Sequence, residues 1–274
     1  MNKGKLYIVA TPIGNLGDLS PRAVETLKNV DIILCEDTRH SGRLLNHFEI
    51  KNKLMSYHEH NEKHRSDQLV DDILSGKNIA IISDAGSPGI SDPGSVFVDT
   101  AHKKDIQVVP IPGPSAVVSA VSACGFSAGR FQFIGFLSRK ASEKQKEIED
   151  TINYSGLSII YESPNRLLAT LELIKDTCPE RQVVVARELT KLNEEIFRGS
   201  IEETCDHFAE GVKGEIVIVL NEFYIEEKID IEKELLKKLD QGYSKSQAVK
   251  LVSKEFSINK NEVYDISISI TNID

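Results

Sequence analysis

The chain lacks the short signatures that most often identify a nucleotide or metal site. No G-x-G occurs among its 274 residues, which removes the dinucleotide-binding fingerprint. No G-x-x-x-x-G-K-[ST] occurs either, since Gly76-Lys77 has neither the upstream glycine nor a following hydroxyl. His60 and His64 flank Glu62 in the order H-N-E-K-H rather than H-E-x-x-H, so no metal centre is expected there. The cysteines Cys35, Cys124, Cys178 and Cys205 form no C-x-x-C pair, which argues against a disulfide framework or zinc ribbon and suits a reducing compartment. No run approaches the ~18 apolar residues of a membrane helix. The apolar stretch before Thr11-Pro12 is too short for a secretory signal. A cytoplasmic protein with no membrane association is expected. A net charge of −9 disfavours indiscriminate coating of nucleic acid.

What is present is alternation. At 40% hydrophobic the chain can fill proper cores, and its length allows two domains of ordinary size. Strand-like runs fall at Leu6–Ala10, Ile32–Cys35, Ile79–Ile82, Val108–Ile111, Phe131–Phe136, Ser158–Tyr161, Val183–Ala186 and Ile216–Leu220. Helical periodicity falls at 21–29, 65–75, 95–103, 142–153 and 164–176. Strands alternating with helices predict an α/β fold. A Pro-Gly-Pro break predicts a boundary, giving domains at 1–113 and 114–224. The pattern beyond Asn221 changes to short charged helices near 230–241 and 244–256, with Asn259 a candidate cap for a third. That predicts a small helical domain at 225–274. Between Lys233 and Lys260 it carries seven lysines against Glu234, Asp240 and Glu255, which reads either as a solvated face or as a basic patch.

The densest punctuation is Ser83–Gly94, directly after an apolar run: three glycines, two prolines and two aspartates in twelve positions. Such a loop is stiff and lets a ligand approach main chain, at the strand end where open α/β sheets bind small molecules. Asp92-Pro93 reads as a helix cap followed by a first-turn proline. Ser20-Pro21, Ser163-Pro164 and Gly113-Pro114 beside Ser115 read similarly, so several helix starts should converge on one edge. Gly14 and Gly17 permit a turn after the first strand. Glu36 and Asp37 follow the second, beside Arg39 and Arg43; they suit either sugar and phosphate contacts or a self-contained ion-pair cluster. Glu162 and Glu188 end two later strands, where they could contact hydroxyls, handle protons or form a salt-bridged rim.

Taken together, Ser83–Gly94, Cys35–Leu45, Tyr57–Glu62, Glu162–Leu167 and Arg187–Lys191 resemble the tetrapyrrole-methylase-like superfamily, in its ribosomal RNA small-subunit methyltransferase I branch. The likeness runs from residue 5 to about 220, and more weakly through the helical tail. Gly89, where a larger apolar residue is usual, and Asn165, where histidine is common, are small departures. The resemblance implies a class III methyltransferase fold: two α/β domains with the cofactor cleft between them, in a homodimer. It implies S-adenosylmethionine as cofactor and 2′-O-methylation of a cytidine ribose in the decoding region of 16S rRNA in the small ribosomal subunit. Carried over residue by residue, the cofactor should meet Pro12, Gly14, Ala85, Gly86, Ser87, Ile90, Ser115 and Ala116, with Tyr161, Leu189, Gly214 and Glu215 closing the adenosine side.

Methyl transfer from a sulfonium is an in-line displacement helped by proximity, and it needs no metal. Glu36, Asp37, Glu162 and Glu188 are the candidates for accepting the hydroxyl proton. Arg39, Arg43, Arg166, Arg187, Lys191 and the tail lysines are the candidate RNA surface. A tetrapyrrole or other small-molecule methylase, and a non-catalytic ribosome-assembly factor that binds RNA, remain alternatives, because a scaffold does not fix a substrate.

Overall fold

The computed structural model describes residues 3–222, 230–256 and 258–270. The chain divides into two compact units, Met1–Phe223 and Tyr224–Asp274. The boundary expected at 224/225 lies outside the described residues.

The first unit carries two five-stranded sheets. Strands β1 (Lys5–Val9), β2 (Ile32–Cys35), β3 (Leu54–Ser56), β4 (Ile79–Ile82) and β5 (Gln107–Ile111) form the first, in the order β3-β2-β4-β1-β5. Every pairing in it is parallel. Two of its three interior strands, β2 and β4, are buried at every position, which is why they read as unbroken apolar runs. Alternate side chains serve opposite faces. Leu34, Ile79 and Ile81 pack with Leu69, Ile73 and Phe97 from α3 (Glu62–Leu74) and α4 (Ser95–Lys103). Ile33, Ala80 and Ile82 pack with Ala23, Leu27 and Leu45 from α1 (Pro21–Asn29) and α2 (Thr38–His47).

The second sheet takes β6 (Phe131–Phe136), β7 (Leu157–Glu162), β8 (Gln182–Arg187), β9 (Glu195–Ser200) and β10 (Ile216–Leu220), in the order β6-β7-β10-β8-β9. Only β6 and β7 pair in parallel; β10 runs antiparallel to both β7 and β8, and β9 antiparallel to β8. One face packs on α6 (Ala141–Ile152), α7 (Pro164–Thr177) and α8 (Ile201–His207) through Ile148, Leu171, Ile174 and Ile201. The other face packs on Val117 and Ala120 of α5 (Ala116–Ala123) and on Ile13, from the loop after β1. Ile13 therefore ties the first sheet's loop into the second sheet's core.

Reversing β10 has a functional consequence. Its amino end, at Ile216, pairs with the carboxyl ends of β7 and β8, at Glu162 and Arg187. Residues just before β10 thus join residues just after β7 and β8 at one rim.

The second unit holds α9 (Ile231–Asp240), α10 (Lys245–Phe256) and α11 (Lys260–Ser269) around a core of Leu235, Ala248, Val249, Val252 and Val263. Asn259 caps α11 by accepting from the Asn261 N–H at 2.9 Å. None of the described helices is long and apolar enough to cross a membrane.

Two of the four expected proline starts need correction. Pro21 and Pro164 do open α1 and α7. Asp92-Pro93 does not open α4, which begins at Ser95 after Gly94, and α5 begins at Ala116 behind a Ser115 cap. Gly94 has φ 137, which a side chain rarely allows, so the turn into α4 forms there and leaves Asp92 in the loop.

Candidate active site

The loops after β1 and β4 are stitched together. The Thr11 N–H donates to Gly86 O at 2.8 Å and the Gly86 N–H donates back to Thr11 O at 3.1 Å. The Thr11 hydroxyl donates to Ser83 O at 3.0 Å, and the Ser83 hydroxyl to Gly86 O at 3.0 Å. Further along, the Gly89 N–H closes onto Pro93 O at 3.2 Å, and Ser91 is held at φ 59. A serine in left-handed backbone is strained, and such strain clusters where a loop is shaped for a ligand.

Between this loop and the second sheet lies a cavity of about 390 Å³, within the size range of small-molecule sites. From the first side Ile13, Ala85, Gly86, Ser87, Ile90 and Asp92 line it, with Ser115 and Ala116 where α5 starts. From the second come Phe136, Tyr161, Glu162, Leu189, Gly214, Glu215, Ile216 and Val217. Ten of the residues predicted to meet the cofactor therefore come together here. Pro12 and Gly14 are not among the lining residues. Gly14 instead packs on the opposite loop: a Cβ there would come within 2.4 Å of Lys191 Cγ and 3.1 Å of Leu189 O. Only a residue without a side chain lets the two halves close to that distance.

The carboxylates differ sharply in their surroundings. The Glu162 side chain is fully buried; it accepts from the Thr170 hydroxyl at 2.6 Å and the Ser163 N–H at 2.8 Å. Arg166 Nε lies 3.3 Å and Lys144 Nζ 4.0 Å from it. Glu188 accepts from Lys191 Nζ at 2.7 Å and from the Glu215 N–H at 3.0 Å. The Lys191 bond and then that N–H hold its pKa below the ordinary value. Glu215 takes Lys191 Nζ at 3.0 Å. Asp37 caps α2 and chelates Arg39, whose side-chain bond lowers its pKa to about 2. Neither Asp37 nor Glu36 reaches the cavity lining. Glu36 is exposed, with no ion pair among the described residues.

Asp92 is the lining carboxylate without a partner: among the described residues it makes no hydrogen bond or ion pair. Burial, then the nearby charges of Glu36 and Asp84, push its pKa up to about 6. Across the cavity, burial and then Asp92 raise the Tyr161 phenol. Tyr161 stands edge-on to Phe133 at 4.8 Å and to Phe136 at 5.5 Å, making an aromatic rim. Sequence reasoning missed Asp92 because Asp-Pro reads as a helix start. The glycine two residues later was the signal that the helix begins after it. Phe136 was missed because a strand-end phenylalanine reads as core, yet it is 60% exposed.

The predicted basic residues do not form one surface of free cations. Arg166 donates to Leu137 O and Ser138 O, Arg187 pairs with Glu195 at 2.8 Å, and Lys191 bridges Glu188 and Glu215. Arg39 and Arg43 are exposed one turn apart on α2, and Arg43 has no ion pair among the described residues. In the helical unit Lys237 and Lys238 pair with Glu234 and Glu255, while Lys233, Lys250, Lys254 and Lys260 are exposed.

Residues 5–205 match the family described as Tetrapyrrole (Corrin/Porphyrin) Methylases. A ribosomal RNA small subunit methyltransferase I from a Synechocystis species is 42% identical over 97% of this chain and 98% of its own length. Among solved structures, a diphthine synthase superposes with a TM-score of 0.62 at 13% identity, covering 80% of this chain and 90% of that one. A cobalt precorrin-4 methyltransferase gives 0.59 at 16% identity, covering 79% and 94%. At those identities the structural likenesses establish the fold, whereas the sequence likeness separates the branches. The chain belongs to the tetrapyrrole methylases, and within them to the ribosomal RNA small subunit methyltransferase I family.

Proposed function

We propose that this protein methylates RNA of the small ribosomal subunit with S-adenosylmethionine, at the 2′-oxygen of a cytidine ribose in the decoding region of 16S rRNA. Family membership supports the donor and the RNA class. The observation that carries the chemistry is a cavity whose first wall is largely small residues and main chain and whose aromatic rim faces an unpaired carboxylate. When bound, S-adenosylmethionine supplies a methyl group on a positively charged sulfur. Aromatic faces and unpaired anions suit that charge, and glycine-rich main chain suits the close approach of the rest.

In this reading Ala85, Gly86, Ser87, Ile90, Ser115, Ala116, Tyr161, Leu189, Gly214 and Glu215 contact the donor. Pro12 and Gly14 shape it from behind, Gly14 by letting the loop at Leu189–Lys191 close. Ion-paired Glu162 and Glu188 fix the strand ends, and the exposed Arg39 and Arg43 on α2, with the lysines of the helical unit, meet RNA phosphates. The protein acts as a homodimer, in the cytoplasm, where small subunits are assembled.

The test is transfer of tritiated methyl from S-adenosylmethionine to small subunits, to naked rRNA and to a porphyrinogen. Label should enter the ribose of small-subunit RNA. Label in the porphyrinogen alone would make the chain a small-molecule methylase, and label in neither would leave a binding factor.

A further inference from the structure

A ribose whose 2′-oxygen enters a cavity has to bring its nucleotide out of the RNA stack, and the stacking lost there has to be replaced at the mouth. Phe136 is the most exposed large apolar side chain of the lining, at 60% against 47% for Ile90. A β-bulge puts it there. Phe133 pairs with Ile159 and Gly135 with Ile160, so β6 carries one extra residue between them. Strand alternation would send Phe133 and Phe136 to opposite faces, yet both rings stand against Tyr161, at 4.8 and 5.5 Å. Gly135, at φ 77, takes the bend, and a Cβ on it would lie 3.5 Å from Ser91 Oγ of the loop after β4. Phe136 therefore stands where the two walls meet, with most of its surface open.

We propose that Phe136 and Arg139 seat the target nucleotide: its base, turned out of the stack, lies on the Phe136 ring, and Arg139 takes a phosphate beside it. This rests on the RNA reading above and deepens it by assigning the substrate's side of the cavity. Of the two rim rings, the partly buried Tyr161 is already assigned to the donor, which leaves the outer one for the substrate. An aromatic face stacks on any base and so holds a nucleotide without reading it.

The segment that joins the two residues is locked. Arg166 Nη2 donates to Leu137 O at 2.8 Å and to Ser138 O at 3.0 Å. The Ser138 N–H donates to Glu147 at 2.8 Å, and the Ser138 hydroxyl to Glu143 at 2.8 Å. Glu162 in turn holds Arg166 Nε at 3.3 Å. Three residues of chain span at most about 10 Å, so ring and guanidinium address adjoining parts of one strand. Arg139 is exposed and has no ion pair among the described residues, whereas the next cation, Lys140, is engaged by Glu143 at 2.9 Å. A base held on a fixed ring presents its ribose to the cavity in one position, which is what an in-line displacement requires.

Phe136→Leu keeps an apolar side chain and removes the ring, Phe136→Tyr keeps the ring, and Arg139→Ala removes the cation. All three changes are at exposed positions, so the variants should fold. Three measurements on each test the seat: kcat/KM for methyl transfer to small subunits, the salt dependence of binding to small subunits, and donor affinity by calorimetry. Phe136→Leu should lower kcat/KM by about 10-fold or more, the worth of one base stacked on a ring, and leave the salt slope as it is. Phe136→Tyr should stay within about threefold of wild type. Arg139→Ala should lower the salt slope by about 1, for one phosphate contact. Wild-type kcat/KM in Phe136→Leu would overturn the proposal, as would a Phe136→Tyr no better than Phe136→Leu or an Arg139→Ala with the wild-type slope. A loss of donor affinity in Phe136→Leu as large as its loss of kcat/KM would also overturn it, by placing the ring in the donor's site. A wild-type protein that labels no small subunits would sink the RNA reading and the seat with it, whereas labelling by wild type and Phe136→Leu alike would sink the seat alone.

Discussion

The two walls of the cavity carry carboxylates in opposite states. On the first sheet's side Asp92 lines the cavity, with Glu36 and Asp84 near it but outside the lining; none of the three has an ion pair among the described residues, and one Asp84 oxygen is buried without a hydrogen-bond partner. On the wall built from the second, Glu162, Glu188 and Glu215 each face a lysine or arginine. The topologies differ in parallel. The first sheet is wholly parallel, so its loops leave the strand ends separately, joined by bridges such as Thr11 to Gly86. In the second, the reversed β10 brings the chain before it back against β7 and β8, and the ion pairs lock that convergence. The difference separates anions whose charge the fold pairs from anions whose charge it leaves uncompensated.

The largest effect should come from breaking the paired wall. Glu162→Gln leaves Arg166 and Lys144 facing a neutral amide in a buried setting. Removing one partner of a buried ion pair costs about 3–5 kcal/mol, and the lower end is expected. Burial already lowers the Lys144 pKa, with Glu162 opposing it, so Lys144 can shed its proton while Arg166 cannot. Urea unfolding at neutral pH measures the loss, and a change below about 1 kcal/mol would mean that the pairing is not structural.

The same chemical change on the other wall should have the opposite sign. With a folded pKa of about 6 against about 4 unfolded, ionised Asp92 destabilises the folded state. That penalty is complete above pH 6, fades as the folded carboxyl takes its proton on the way down, and is gone below about pH 4. Asp92→Asn should therefore be more stable than wild type at pH 8, by about 1–2 kcal/mol after allowing for partial exposure. At pH 4 the two should unfold together.

A third test asks whether pairing also decides which cations meet RNA. Replacing Arg43, which has no ion pair among the described residues, by alanine should weaken binding to small subunits and lower the salt slope by roughly 1, for one phosphate contact. Arg187→Ala, which removes a cation already engaged by Glu195, should leave the slope unchanged. Equal effects would show that the RNA surface includes the paired rim.

How much of this was legible in the sequence follows from the same contrast. Buried parallel strands announce themselves, because Ile79–Ile82 and Ile32–Cys35 have nowhere to put a polar residue. Two of the four edge strands, β3 and β9, were not found: β3 is three residues long, and β9, EIFRGS, mixes charge with apolar residues because one side of it meets water. Likewise α2 and α8 carry too many polar residues for an apolar stripe to show. The signature loop pointed to the cavity, since stiffness and small residues leave a local imprint. Pairing leaves none. That Glu188 has Lys191 and Glu215 at hand depends on β10 returning against β8, and that Asp92 has no cation depends on what the second half does not present.

Lys191→Met carries the smallest expected effect and the most diagnostic pH dependence. It removes the cation shared by Glu188 and Glu215 at a loop where Glu188 and Thr190 hold left-handed backbone, φ 51 and 68. All three side chains are partly solvated, so the stability lost at neutral pH should be about 0.5–1 kcal/mol. Glu188 has a depressed folded pKa, so its contribution is present above the unfolded value and vanishes as pH falls through the folded one. The gap between Lys191→Met and wild type should therefore close on acidification because wild type loses stability. The gap between Asp92→Asn and wild type should close because wild type gains it. Denaturation of both variants across one pH series distinguishes the two signs; the same sign from both would show that the walls do not differ in how they hold charge.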